Sequence, residues 1–121
     1  MNTPRWTGIF PAVTTKFHAD ERIDAEGPIR HIDFQIRNGI HGVVTCGSLG
    51  EASTLTLEEK LDVARIALEA ADGRIPVLAN VSETSTREAL RYIDGANKLG
   101  VAGFMLMPSV IYVADAREAM A

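Results

Sequence analysis

Residues 42–80, GVVTCGSLGEASTLTLEEKLDVARIALEAADGRIPVLAN, decide the fold. They read in turn as strand, loop, helix and strand. Gly42 to Cys46 is a short apolar run without strict polar alternation, the mark of a strand covered on both faces. Thr56 with Glu59 makes a capping box, in which a hydroxyl and a carboxylate satisfy orphan amides at a helix start. Leu57, Leu61, Ala64, Leu68 and Ala71 then recur at spacings of four, three, four and three, which predicts one inward-packing helical face. Asp72-Gly73 stops that helix, because glycine enters the left-handed region without a Cβ penalty, and Ile75 to Asn80 is the next strand.

The same grammar extends both ways. Upstream, Asp24 caps a helix with Pro28 in its opening turn and Ile29, Ile32 and Ile36 on its buried side, and Asn38-Gly39 ends it. Gly8 to Thr15 is expected to open the series as a first strand. Downstream, Ser85 and Glu88 form a second box, Ala89, Ile93 and Ala96 a stripe, Gly100 a stop, and Val101 to Met107 a strand. Asp115 and Glu118 make a third box-like start, with Ala121 barely a turn beyond, and a helix that short is marginal. Strands alternating with helices imply a parallel α/β sheet, either open and doubly wound or part of an eight-stranded β/α barrel. Four strands and three full helices are half the barrel count. Residues 1–121 are therefore expected to be part of one domain, cut at the start of its fourth helix.

Composition narrows the function. Twelve Lys plus Arg against 16 Asp plus Glu give a net charge of −4, which disfavours nucleic acid as a partner. The 46% hydrophobic content, 5 Pro and no repetitive tract indicate an ordinary globular chain. No apolar run approaches the roughly 20 residues of a membrane span, and Met1 to Thr7 lacks a signal-peptide pattern. Cys46 alone cannot form an internal disulfide, which suits a reducing compartment. A cytoplasmic protein without a membrane partner is the expectation.

In both architectures the active site lies at the carboxyl ends of the strands. Gly47-Ser48-Leu49-Gly50-Glu51 is the most informative loop there: two glycines allow close backbone approach, and successive amides with the Ser48 hydroxyl could gather a carboxylate or phosphate. It lacks the Lys-Ser/Thr pair of a Walker loop and the three glycines of a dinucleotide fingerprint. On its own it also reads as a plain strand-to-helix turn. Glu51 is either a general base or a carboxylate that binds loop amides. His18, His31 and His41 share no metal-ligand spacing, so no metal is expected. Cys46 reads as a core residue, and Met105 and Met107 as core packing. Lys60 and Lys98 fall on helices, where lysine normally faces solvent, and Lys16 reads as a solvated loop lysine.

The stretch from Gly47 to Thr56, preceded by Gly42-Val43-Val44 and followed by Glu58-Glu59-Lys60, resembles the dihydrodipicolinate synthase and N-acetylneuraminate lyase family. So do Asp72 to Val77 and Gly100 to Pro108, in order along essentially the whole chain. The resemblance implies a (β/α)8 barrel, usually tetrameric, that makes or breaks bonds in 2-keto acids such as pyruvate through a lysine Schiff base, with no cofactor. It implies that Gly47, Ser48 and Leu49 bind the keto-acid carboxylate and that Ser48 joins a proton relay. Leu49 stands where many members carry threonine, so only its amide is left to contact a carboxylate. Ser109-Val110-Ile111 follow Pro108 where adjacent tyrosines are common, and Tyr112 is then either a relay phenol or a packing aromatic. The family's imine-forming lysine falls beyond Ala121. The chain alone is thus expected to be inactive, a homo-oligomer either way; a noncatalytic half-barrel pairing through open sheet edges and a small anion-binding α/β module are the alternatives.

Overall fold

The computed structural model describes residues 6–108 and 113–121. Helix α1 (Glu26–Arg37) leads to strand β1 (Val43–Thr45), a 3-10 turn (Ala52–Thr54), helix α2 (Leu57–Ala71), strand β2 (Val77–Val81), helix α3 (Thr86–Leu99), strand β3 (Gly103–Leu106) and helix α4 (Ala116–Met120). The sheet runs β1-β2-β3, all parallel, with Val43 opposite Val77 and Leu78 opposite Gly103. The expected α/β alternation is present, with each helix returning the chain for a parallel step.

The expected first strand, Gly8 to Thr15, is reduced to one parallel bridge between Ala12 and Val44. Val13 donates to the Val44 carbonyl and Val44 to the Pro11 carbonyl, at 3.0 and 2.9 Å. Pro11 has no amide to extend that ladder, which explains why the segment lies along β1 without becoming a regular strand. It still fills the sheet face: a Cβ at Gly42 would collide with the Phe10 ring, and one at Gly103 with the Trp6 indole.

The helix boundaries follow their signals. Thr56 and Glu59 complete a reciprocal capping box, as do Asp115 and Glu118. Ser85 accepts the Glu88 amide, while the Glu88 carboxylate turns instead to Arg91. Asp24 takes the amides of Glu26 and Gly27, and those bonds, the Gly27 amide first, hold its carboxyl below the usual range. Gly39, Gly73 and Gly100 all have positive φ, as helix stops require.

Helix α2 lies over the sheet between α1 and α3. One side of the core joins Val13, Ile32, Val43, Ala67, Ala70, Ala71 and Val77; the other joins Cys46, Ala64, Ala79, Val81, Tyr92 and Ala96. The buried face of α2 is broader than the predicted stripe. Lys60, Val63, Ile66, Ala67 and Ala70 are also buried, while Leu57, Leu61 and Leu68 flank it, because the helix has neighbours on both sides. Leu61 meets α3 at Gly95, where a Cβ would stand 2.8 Å from its Cδ2. Among the described residues no helix is long and apolar enough to cross a membrane.

Candidate functional site

Parallel strands deliver their outgoing loops to one end of the sheet, and hydrogen bonds tie three of these segments together there. Thr15 Oγ1 donates to the Gly50 carbonyl at 2.7 Å. Asn80 Nδ2, near the end of β2, donates to the Cys46 carbonyl at 3.1 Å and to Ser82 Oγ at 3.2 Å. The Gly47 loop therefore opens at the rim on which these three outgoing segments converge.

The loop is a compact turn. Its Gly47 carbonyl accepts from the Gly50 and Ala52 amides at 3.0 and 3.3 Å, and the Ser48 carbonyl from the Glu51 amide at 3.1 Å. Cys46 and Glu51 bracket it in left-handed conformation, with φ of 56° and 58°. Its two glycines serve different ends. A Cβ on Gly50 would press on the Cys46 backbone and the Val13 carbonyl at 3.2 Å, so that glycine exists for backbone packing; beside Gly47 nothing lies within 4 Å. Ser48 and Leu49 are exposed, Leu49 to 66%, and among the described residues no acceptor takes either of their amides. Among the described residues no loop amide donates to the Glu51 carboxylate; the Glu51 backbone carbonyl takes the amide and hydroxyl of Thr54, both at 2.9 Å.

Behind the loop lies a polar cluster that sequence reasoning missed. Lys60 is buried, not solvated: its ammonium pairs with Glu83 at 2.5 Å and stands 6.0 Å from the Tyr92 ring centroid. The pair links the first turn of α2 to the loop after β2. Spacing carried the signal, since Lys60 falls four residues before Ala64 and seven before Ala67 on the buried face. Cys46 is fully buried, with its thiol 3.7 Å from the Lys60 carbonyl. Burial pushes the thiol's pKa up, and burial first, then the Cys46 thiol, does the same to the Tyr92 phenol. Both groups stay protonated at neutral pH, which suits Cys46 to packing and not to nucleophilic attack.

Lys16 is exposed, and Lys98 pairs with Asp94 at 2.7 Å on the surface of α3. All three histidines are exposed: His41 Nδ1 accepts the Ile9 amide, His31 bonds Gln35, and His18 lies 4.0 Å from Asp24. An open cleft of about 410 Å³ beside the loop is lined by Glu21, Glu51 and Glu59 with Phe17, His18, Thr54 and Leu55. Three carboxylates on its wall repel an anion, so a keto-acid would have to approach the loop from the Gly47 side. Tyr112, with Ser109, Val110 and Ile111, lies outside the described residues.

A family model described as the dihydrodipicolinate synthetase family matches residues 5–118. A 4-hydroxy-tetrahydrodipicolinate synthase of Methanoculleus marisnigri is 42% identical over 102 residues, covering 83% of this chain and 35% of the relative. The chain thus spans about a third of that relative's length. Two solved structures superpose closely. One is a dihydrodipicolinate synthase from Bacillus anthracis, with TM-score 0.89, 29% identity and coverage of 98% of this chain and 40% of that one. The other is an Escherichia coli prophage protein of the dihydrodipicolinic acid synthase family in complex with pyruvate, with TM-score 0.88, 34% identity and coverage of 95% and 39%.

Proposed function

We propose, from the premise that this chain belongs to the dihydrodipicolinate synthetase family, that its carboxyl-end rim is the carboxylate-binding part of a 2-keto-acid lyase. Its fold class is α/β, the N-terminal part of the (β/α)8 barrel of those relatives. We read residues 1–121 as half of one barrel domain. The whole enzyme would make or break a carbon-carbon or carbon-oxygen bond after a lysine amine condenses with the keto carbonyl and releases water. In this reading Gly47, Ser48 and Leu49 hold the carboxylate of pyruvate or a similar acid. Ser48 and Tyr112 pass protons, and the assembly is a cytoplasmic homotetramer.

The observation that carries the reading is the open space beside Gly47 together with the unpaired Ser48 and Leu49 amides at the strands' carboxyl ends. Fixed amide donors at a site of developing charge need no reorganisation when an anion arrives. None of this chain's lysines suits the imine. Lys60, on α2, is held by Glu83 of the loop after β2, Lys98 is paired on the surface, and Lys16 is exposed, so nothing desolvates it.

Borohydride trapping with pyruvate tests this division. The 121-residue chain should remain unlabelled, and a longer polypeptide carrying the remaining barrel strands should be labelled at a lysine beyond Ala121. Covalent labelling of the short chain would overturn the assignment. A noncatalytic half-barrel that associates through its open edge is the second reading, favoured by the exposure of Leu106 at 71% on β3. Trapping of the longer polypeptide would exclude it.

A further inference from the structure

Cys46 is the residue at which β1 stops being a strand. The register pairs Thr45 with Ala79, so Cys46 would next oppose Asn80, but its backbone turns into the left-handed region with φ of 56°. That region brings Cβ against the backbone in any residue except glycine. Cys46 lies just past the last paired residue of β1 and is fully buried, and a buried carbonyl needs a donor.

Asn80 supplies one. Its side chain is 1% exposed, sits in an otherwise apolar run from Val77 to Val81, and donates through Nδ2 to the Cys46 carbonyl at 3.1 Å. A carbonyl only accepts, so the group facing it must be the amide nitrogen, which fixes the orientation of the side chain. Among the described residues its buried Oδ1 has no partner. The bond to Cys46 accounts for a polar side chain fully buried in an apolar strand.

We infer that Asn80 is a positioning residue: its amide supplies the donor for the Cys46 carbonyl, holds Cys46 in the left-handed turn, and so sets the direction in which the Gly47, Ser48 and Leu49 amides leave the strand. The link to substrate rests on the function proposed above, whereas the link between Asn80 and the loop conformation does not. The two can fail separately.

The test uses the full chain in four forms: the parent, Asn80→Ala, Cys46→Gly and the double variant. Hydrogen exchange is followed at the Gly50, Glu51 and Ala52 amides, and pyruvate is titrated against the Ser48 and Leu49 amide resonances. Asn80→Ala should speed exchange at those three amides by about tenfold, the loss expected for one buried hydrogen bond that holds a local fold. Glycine adopts the left-handed turn without help, so in the Cys46→Gly background the same change should speed exchange by less than about threefold. Equal acceleration in both backgrounds, or none in either, would overturn the inference. If Asn80→Ala does not fold alone, the double variant should, and its failure to fold would overturn it equally. Where the parent's Ser48 and Leu49 resonances move with pyruvate, Asn80→Ala should weaken that binding and Cys46→Gly restore it. A parent that shows no movement counts against the carboxylate reading of the loop, and exchange alone then decides the role of Asn80.

Discussion

Strands β1 and β2 are buried along their whole length, whereas β3 is half-buried at Gly103 and Phe104 and exposed at Met105 and Leu106. All three are short, parallel and apolar, so composition does not separate them. Their neighbours do. Strand β2 has a hydrogen-bonded strand on each side with α2 and α3 above it, and β1 has β2 on one side and the Ala12 segment on the other. Among the described residues strand β3 pairs only with β2, with no strand along its outer edge, and five-residue α4 is exposed throughout. Phe104 still reaches the Tyr92 side of the core, but Leu106, two residues along on the same face, is 71% exposed. Stability is thus concentrated between α1 and α3, and the last strand is shaped for packing that the described residues do not supply.

The sharpest way to break that contrast is to disturb the first region where its polar and apolar packing meet. Lys60→Met should cost about 3 to 5 kcal/mol, because it leaves the Glu83 carboxylate largely buried without its cation. Replacing both partners, as Lys60→Met with Glu83→Leu, should recover most of the loss, since the charge that needed compensation is gone. Urea denaturation of the two variants checks both statements. A single-variant loss below about 1 kcal/mol would mean that the pair behaves as a surface ion pair. Ile32→Ala comes next: this side chain is 1% exposed between α1 and the sheet, and its removal should cost about 2 to 4 kcal/mol in the same experiment.

The same contrast separates what was legible in the sequence from what was not. Helix starts at Thr56, Ser85 and Asp115 and stops at Gly39, Gly73 and Gly100 could be read because capping and left-handed glycine are local chemistry. Parallel pairing followed from the alternation of elements. The Gly8 to Thr15 strand did not form as read, although the reason, Pro11, stood in the sequence. The charge of Lys60 points to solvent while its helical spacing points to the buried face, and the spacing prevails because Glu83 compensates the charge; the width of α2's buried face depends on having a helix on each side. The Gly47 loop could be located, yet the separate roles of its glycines could not, since Gly50 is fixed by contacts with Val13 and Cys46. Asn80 left only a trace, one amide in an apolar run. Its partner Cys46 lies just past the end of β1, 34 residues away.

Smaller effects sharpen the comparison. Thr56→Ala removes the hydroxyl that caps the Glu59 amide at the start of α2 and should cost about 1 kcal/mol, with the loss appearing in helix content as well as in the unfolding midpoint. Acid acts on α1 through Asp24, held low chiefly by the Gly27 amide, and Asp33, held low chiefly by the Arg74 guanidinium. A carboxyl with a depressed folded pKa contributes stability that is complete above its unfolded value and is lost as pH falls through the folded one. Stability should therefore decline modestly on acidification from neutral pH to about pH 3, and Asp24→Asn should flatten part of that slope. A slope unchanged by the substitution would remove Asp24 from the account.

The least costly change is expected on β3. Leu106 makes little of the core, so Leu106→Ser should move the unfolding midpoint by no more than the equivalent of about 0.5 kcal/mol, the scale of an ordinary surface substitution. Its effect belongs to association instead. An open strand edge beside an exposed leucine favours pairing with another sheet, and a polar side chain there lowers the gain from covering it. Sedimentation at matched concentration should accordingly show a smaller average mass for the serine variant at unchanged stability. A large loss of stability with no change in mass would place Leu106 in the core after all and erase the distinction between β3 and its two neighbours.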